Sequence, residues 1–282
     1  MDLLKLNAFP SVAANATSSL TTDQVRGYAL HALVLERGGT TFPHTDITST
    51  RVRLNGKDIV PSGLTGVQLH AMTDYEGMPN VTNYDFIFFG DPAARTVRGQ
   101  HLGDVDCSVY DYPITLEVGI GAATAPTLNA YALTSVPKQQ MGIGYTDTEA
   151  AIIRALVPTI IQPAAAVTRS TYGISIGSSA GARIRRVWFF NANLTNVDLR
   201  KQSLIKWDDV SAVLNSAVEQ QYVRTPQVGL YVLDRVMDGN QGESETTVSP
   251  SGAQWNIQLA LTTSAADTIG TYADLFTTLP GL

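Results

Sequence analysis

The sequence predicts an all-β chain folded as two tandem eight-stranded jelly rolls with short inserted helices. Three observations carry that prediction. Short apolar runs bounded by Gly, Pro, Asn and Asp outnumber helix-period segments, as in β proteins. Many of those runs alternate apolar and polar residues, the pattern of a sheet with one buried face. The order of elements in the first half returns in the second at nearly constant spacing, the mark of a duplication. Each half, at about 110–130 residues, has the size of a two-sheet sandwich.

In the first half, the run 28–35 is followed by Val52 and Leu54 around Arg53, then Ile59 and Val60. Leu64, Val67, Ala71 and Met72 have helix spacing. The dense run 85–89 reads as a strand buried on both faces, and after a polar stretch Ile114, Leu116, Val118 and Ile120 alternate with polar or small residues. In the second half, 184–190 is followed by Val197 and Leu199, then Leu204 and Ile205. Val210, Val213, Leu214, Ala217 and Val218 have helix spacing, and 230–233 and 257–261 complete the series. Val52 and Val197, and likewise Ile59 and Leu204, stand 145 residues apart, and Ile114 and Ile257 stand 143 apart. Leu30 and Ile184 stand 154 apart, which places nine extra residues in a first-half loop.

The expected domains are an N-terminal arm at 1–20, a first jelly roll at 21–134, a linker with one helix at 135–172 and a second jelly roll at 173–282. In the linker, Thr146 and Glu149 have capping-box spacing. An apolar helix over 150–157 is expected to follow and to end or kink at Pro158. Asp208 or Asp209 is expected to cap the second inserted helix, a carboxylate being favoured at a helix N-terminus. The polar stretches 90–111 and 238–252 are the expected exposed towers. Trp188, Trp207 and Trp255 fall in or beside periodic segments and are expected in the core.

Composition narrows the function. Of the 282 residues, 44% are hydrophobic and 16% charged, against about 25% charged in an average soluble domain. Disorder is excluded, and the weakly charged surface suits coverage by other protein. The formal net charge is −6, which opposes direct nucleic-acid binding. Arg183, Arg185 and Arg186 form the densest basic stretch; on a strand, Arg183 and Arg185 share a face, too little to follow a phosphate backbone. The single cysteine, Cys107, excludes a disulfide framework. The first residues do not read as a signal peptide, and no apolar run reaches the ~18 residues of a membrane span. The sequons at Asn15, Asn80 and Asn193 carry little weight without a secretory signal.

Catalytic motifs are few. His31, His44, His70 and His101 are spread singly through the first half, and no His-x-His or His-Glu-x-x-His pairing occurs. They read as structural, with His31 facing outward from its strand. Ser179, flanked by Gly177 and Gly181, fits the nucleophile-elbow spacing. A strand follows it instead of a helix, however, and no histidine comes after it in the chain. Cys107 lies among Asp104, Asp106 and Asp111, and acidic neighbours raise a thiol pKa. Asp104 and Asp106 are weak candidates for a calcium site completed by carbonyls, against the blander reading of a solvated acidic loop. Glu243 and Glu245 read as the same kind of loop. No catalytic residue and no required cofactor is assigned.

The opening Leu6, Asn7, Ala8, Phe9, Pro10, Ser11, Val12, Ala13 and Ala14 resembles the N-terminal stretch of corticovirus major capsid proteins. The resemblance continues at 52–57, at Pro126, Leu128 and Ala130, and at Lys206, Trp207, Asp208 and Asp209, in the same order over nearly the whole chain. The linker, richer here in Pro and Ala, departs from that pattern. The resemblance implies a double jelly-roll major capsid (coat) protein of an icosahedral bacterial virus. It implies pseudo-hexagonal homotrimers, six jelly rolls each, tiling a shell over an internal lipid membrane, with calcium as a possible structural ion. Implied partners are further copies of the chain, penton and minor membrane proteins, and the membrane itself. The implied location is the virion, after synthesis in the host cytoplasm. The apolar Leu3, Leu4, Leu6 and Phe9 on the arm suggest contact with a neighbour or the membrane surface. Two other classes stay open: a two-domain jelly-roll glycan- or receptor-binding protein, and an enzyme on a tandem β fold.

Overall fold

The computed structural model describes residues 1–78, 80–163, 165–173 and 181–282, with Ile160 described by its backbone alone. Ser179 and Gly177 fall outside these residues. The chain divides into two compact units, residues 1–155 with Leu282, and residues 156–281.

The first unit contains β1 (Asp2–Lys5), β2 (Thr17–Thr22), β3 (Ala29–Gly38), β4 (Ile47–Leu54), β5 (Lys57–Leu64), β6 (Tyr84–Phe88), β7 (Val105–Asp106), β8 (Ile114–Ile120) and β9 (Thr127–Ser135). They build two sheets, ordered β1-β9-β3-β6 with β7 also on β3, and β2-β8-β4-β5. The helices are α1 (Gly66–Tyr75), α2 (Val97–His101) and α3 (Asp147–Ala150).

The second repeats the first strand for strand. It contains β10 (Ile152–Ile161), which begins before the unit boundary, then β11 (Val167–Gly173), β12 (Arg183–Phe190), β13 (Leu194–Lys201) and β14 (Leu204–Ser211). After α4 (Ala212–Gln221) come β15 (Leu230–Asp234), β16 (Glu245–Thr246), β17 (Ile257–Thr263) and β18 (Ile269–Thr278). Its sheets run β10-β18-β12-β15 with β16 on β12, and β11-β17-β13-β14. Adding nine to every strand number of the first unit gives the second. Each unit is thus the expected four-on-four jelly roll plus one two-residue strand.

Local sequence explains the elements. Along β8, Ile114, Leu116, Val118 and Ile120 are buried while Thr115 and Glu117 are half-buried, so the alternation marks the core face. In β3, the run from Ala29 to Leu35 is buried throughout, as suits a strand paired on both sides and covered on both faces. Asn55 and Gly56 both have positive φ, 51° and 75°, and close the β4–β5 hairpin as Asn-Gly does in primed turns. Thr65 caps α1 through a full capping box with Gln68.

The nine extra residues fall largely between β3 and β4, where residues 39–46 connect the strands; 191–193 suffice between β12 and β13.

Several expectations are corrected. Residues 1–20 are not a free arm: β1 pairs with β9, β2 pairs with β8, and Leu6 and Phe9 are buried. Ile152–Ile161 and Val167–Gly173 are strands of the second sandwich and not linker. The capping box at Thr146 and Glu149 exists, but α3 stops at Ala150, and 152–161 is a strand beside β18. Apolar β-branched runs fit helix and strand alike, and Pro158 is tolerated because β10 is an edge strand. α4 is capped by Ser211, while Asp208 and Asp209 lie in β14. Asp209 N–H donates to Asp198, and Asp208 pairs with Arg169.

Candidate functional site

Each long polar stretch has exposed residues, 95–98 in the first and 250–252 in the second, but is anchored by buried polar groups. In 90–111, Asp91, His101, Asp104, Asp106 and Cys107 are buried; in 238–252, Gln241, Ser244, Glu245 and Thr247 are buried. Burial of charge requires partners, and both stretches supply them.

The first stretch meets β3 at a bulge. The register of β3 on β9 slips between Leu30 and Ala32, and a bulge turns the extra residue, His31, out of the normal alternation. His31 is therefore buried, contrary to the outward orientation expected of it. Its Nδ1 lies 2.9 Å from Asp104 Oδ1, and His101 Nδ1, at the end of α2, lies 2.7 Å from Asp104 Oδ2. The two imidazole rings stand 5.0 Å apart. Gly90 closes over the cluster: a Cβ there would come within 2.2 Å of His31 Cε1 and 2.6 Å of Asp104 Oδ1.

Asp106 does different work. Its Oδ1 accepts from Ser108 N–H and Oγ, and its Oδ2 accepts from Lys138 N–H. Lys138 Nζ donates to the Leu102 and Ile152 carbonyls, and burial pushes its pKa down to about 8. Neither Asp104 nor Asp106 fits calcium, which takes six to eight oxygens: one faces two imidazoles and the other serves backbone and hydroxyl donors. The Cys107 thiol is buried, and desolvation, then Asp106, pushes it up to about 12, so it is no nucleophile.

The second stretch meets β12 at the same point. The register on β18 slips between Ile184 and Arg186, making Arg185 the bulged residue. Arg185 Nη1 donates to both oxygens of Asp274 at 3.1 and 3.0 Å, and its Nε donates to Gln241. Arg186 Nε donates to Asp234 at 2.9 Å, and Arg224 Nε lies 3.6 Å from the same carboxylate. All five charged groups are buried. These arginines lock the second sandwich and are unavailable to a phosphate backbone. Glu245, expected in a solvated loop, lies 2.6 Å from Lys201 Nζ.

Two further features belong to single units. In the first, the enlarged β3–β4 loop brings His44 onto α1, where it stacks on His70 at 4.0 Å. His70 Nε2 lies 2.6 Å from Asp85 Oδ1, and Arg37 Nε reaches the other oxygen at 2.5 Å. Arg37, His44, His70, Asn80 and Asn83 line an open cleft of about 710 Å³. In the second, β14 and α4 present an apolar surface: Leu204 (59%), Ile205 (51%), Val213 (83%) and Leu214 (54%) are exposed. In the first unit β5 buries Ile59, Val60 and Leu64 and α1 buries Leu69, Met72 and Tyr75, while Val67, second in α1 as Val213 is in α4, is itself 50% exposed. Val187, Phe189, Leu199, Leu233 and Leu259 are in the second core, with Trp207 and Trp255 packed against it. No helix among the described residues is long and apolar enough to cross a membrane.

Sequence spacing hid the histidine cluster, because residues 31 and 101 meet only through the bulge. Its signals were a histidine inside an apolar strand and the i, i+3 pair His101 and Asp104. Two adjacent arginines inside the apolar run 184–190 were the equivalent signal for the buried ion pairs.

The family model described as viral coat protein P2 N-terminal domain matches residues 3–137, and the one described as viral coat protein P2 C-terminal domain matches residues 154–279. The chain belongs to the viral coat protein P2 family. It is thus a component of a virion shell and not an enzyme. Among solved structures it is similar to the major capsid protein P2 of bacteriophage PM2, with a TM-score of 0.81 and 18% identity over 100% of this chain and 99% of that one. It is also similar to the STIV major capsid protein (TM-score 0.64, 13% identity, 99% and 98% covered). The PBCV-1 virus capsid gives a TM-score of 0.58 at 11% identity, with 100% and 95% covered. At such identities these likenesses show the fold, a double jelly roll. No curated protein matches the sequence.

Proposed function

We propose that this coat protein is the major capsid protein of an icosahedral, membrane-containing bacterial virus and assembles as pseudo-hexagonal homotrimers. The observation that carries the trimer is the bare apolar surface of β14 and α4. Exposed apolar area marks protein interfaces, and burial of Ile59 and Val60 in β5, the strand equivalent to β14, supports the reading that the fold itself does not require β14 to be bare. Three copies supply six jelly rolls, the number a hexagonal outline needs. The net charge of −6 keeps such a chain soluble at high concentration. Contacts with penton and minor membrane proteins belong to the same proposal. Met1 (69%) and Leu3 (64%) are exposed at the start of the chain and are the apolar side chains it offers to a neighbour or a lipid surface. Calcium, if it joins the shell, takes oxygen ligands other than Asp104 and Asp106. A glycan-binding module gains no support from the tryptophans, since Trp188 is buried and Trp207 and Trp255 pack on the core.

Electron microscopy of the concentrated protein tests this reading. Class averages with threefold symmetry and a hexagonal outline are expected; a field of single two-unit particles overturns it.

A further inference from the structure

We propose that His31, His101 and Asp104 form a binding site for one divalent transition metal, of the zinc class, that pins the 90–111 segment onto β3. The inference is independent of the oligomeric state.

Three observations carry it. First, the ligand atoms converge. Two imidazole nitrogens and a carboxylate oxygen lie within 4.8 Å of one another, and all three residues are buried. Ligands bound tetrahedrally to zinc at about 2.0–2.1 Å stand about 3.3 Å apart. The His–Asp contacts of 2.9 and 2.7 Å, made to different oxygens of Asp104, thus open by about half an ångström and the widest ligand pair draws in toward about 3.3 Å as the ion enters. Two imidazoles with one carboxylate are a donor set for zinc, cobalt or nickel and not for calcium.

Second, Asp104 is bonded to no lysine or arginine side chain among the described residues. Its side chain is fully buried, and among the described residues its hydrogen-bond partners are the two imidazoles. The charge of Lys138 acts on it from a distance, but the ammonium itself is bonded to two carbonyls. A buried carboxylate is costly without a paired positive charge.

Third, the duplicated unit places a cation at this very point. Leu30 pairs with Val105, and Ile184 with Glu245, so the bulged residues His31 and Arg185 are equivalent. At that position the second unit buries a guanidinium bonded to Asp274 and Gln241. The first unit has imidazoles where the second has the guanidinium, and a bound metal ion would place a permanent positive charge there as well. Gly90 fits the same design, because a side chain there would enter the space held by His31 and Asp104.

The test uses the full chain, stripped of metal with a chelator. Zinc titration by calorimetry should show one ion per chain, and cobalt should give the visible absorption bands of a four- or five-coordinate site. His31→Asn and His101→Asn keep a donor near the position of Nδ1 while removing the ligand, and each should weaken binding at least about tenfold. His70→Asn, at the other histidine pair, should bind as the wild type does. X-ray absorption of the zinc-loaded wild type, which needs no variant to fold, should show two imidazoles in the ion's shell. No zinc binding by the wild type, undiminished binding in both ligand variants, loss in His70→Asn, or a shell without two imidazoles each overturns the proposal.

Discussion

His31 and Arg185 occupy the same place in the two jelly rolls. Each is the bulged residue of its central strand, one position after a residue paired with the two-residue strand. Each side chain turns beneath the long polar segment of its unit and anchors it. The duplication has kept the geometry and changed the chemistry, from an imidazole cluster in the first unit to a permanent ion pair in the second.

The ion pair sets the first prediction. Removing one partner of a buried pair leaves the other charge uncompensated, at a cost of about 3–5 kcal/mol. Asp274→Ala strands Arg185 and should lower stability by that amount in denaturant unfolding. Asp208→Ala, at a carboxylate 66% exposed, should stay within about 1 kcal/mol of wild type. Equal losses at the two sites would contradict the burial argument.

Gly90 gives a second. Gly90→Ala drives a methyl into His31 and Asp104, and overpacking of this kind costs about 1–3 kcal/mol. Gly173→Ala, where a Cβ meets nothing within 4 Å, should be close to neutral. Thermal unfolding of the two variants separates the cases.

The N-terminal segment gives a third. Deleting residues 1–5 removes the edge strand β1 alone and should leave a folded chain. Deleting residues 1–20 also removes buried Leu6, Phe9 and Leu20 and most of β2, and should abolish soluble, folded protein. Native circular dichroism from the longer truncation would show that 1–20 is an arm after all.

The stacked histidines give a fourth. The His44 pKa is lowered, first by desolvation and then by His70 and Arg37. Above about pH 6.5 the side chain is neutral in folded and unfolded chains and stability does not depend on it. Below that the unfolded chain takes up the proton first, so stability falls with pH until the lower folded pKa is passed. His44→Gln should flatten the stability curve between about pH 7 and 5; an unchanged slope would remove His44 as its cause.

Strand order and duplication were legible in the sequence because alternation and turn residues are local. Even the 154-residue offset between Leu30 and Ile184 reappears as the equivalence of their pairings. The segment 150–157 was not legible: its apolar spacing suits helix and strand alike, and its pairing with β18 lies more than a hundred residues away. The burial of Arg185, Arg186, Asp104 and Asp106 was hidden for a related reason. A charged residue reads as solvated until the fold brings its partner, and a bulge alters which way a side chain points without leaving a mark in the pattern.

The exposed surface of β14 and α4 makes a fifth prediction. Val213→Glu places a charge on a side chain 83% exposed, so the chain should fold unchanged while the trimer is lost.

Native mass spectrometry of the purified wild-type chain tests assembly most directly. A species at about three times the 30.2 kDa chain mass, reduced to the single-chain mass by Val213→Glu, is the predicted result. A wild-type protein that stays at the single-chain mass as its concentration is raised would contradict the homotrimer.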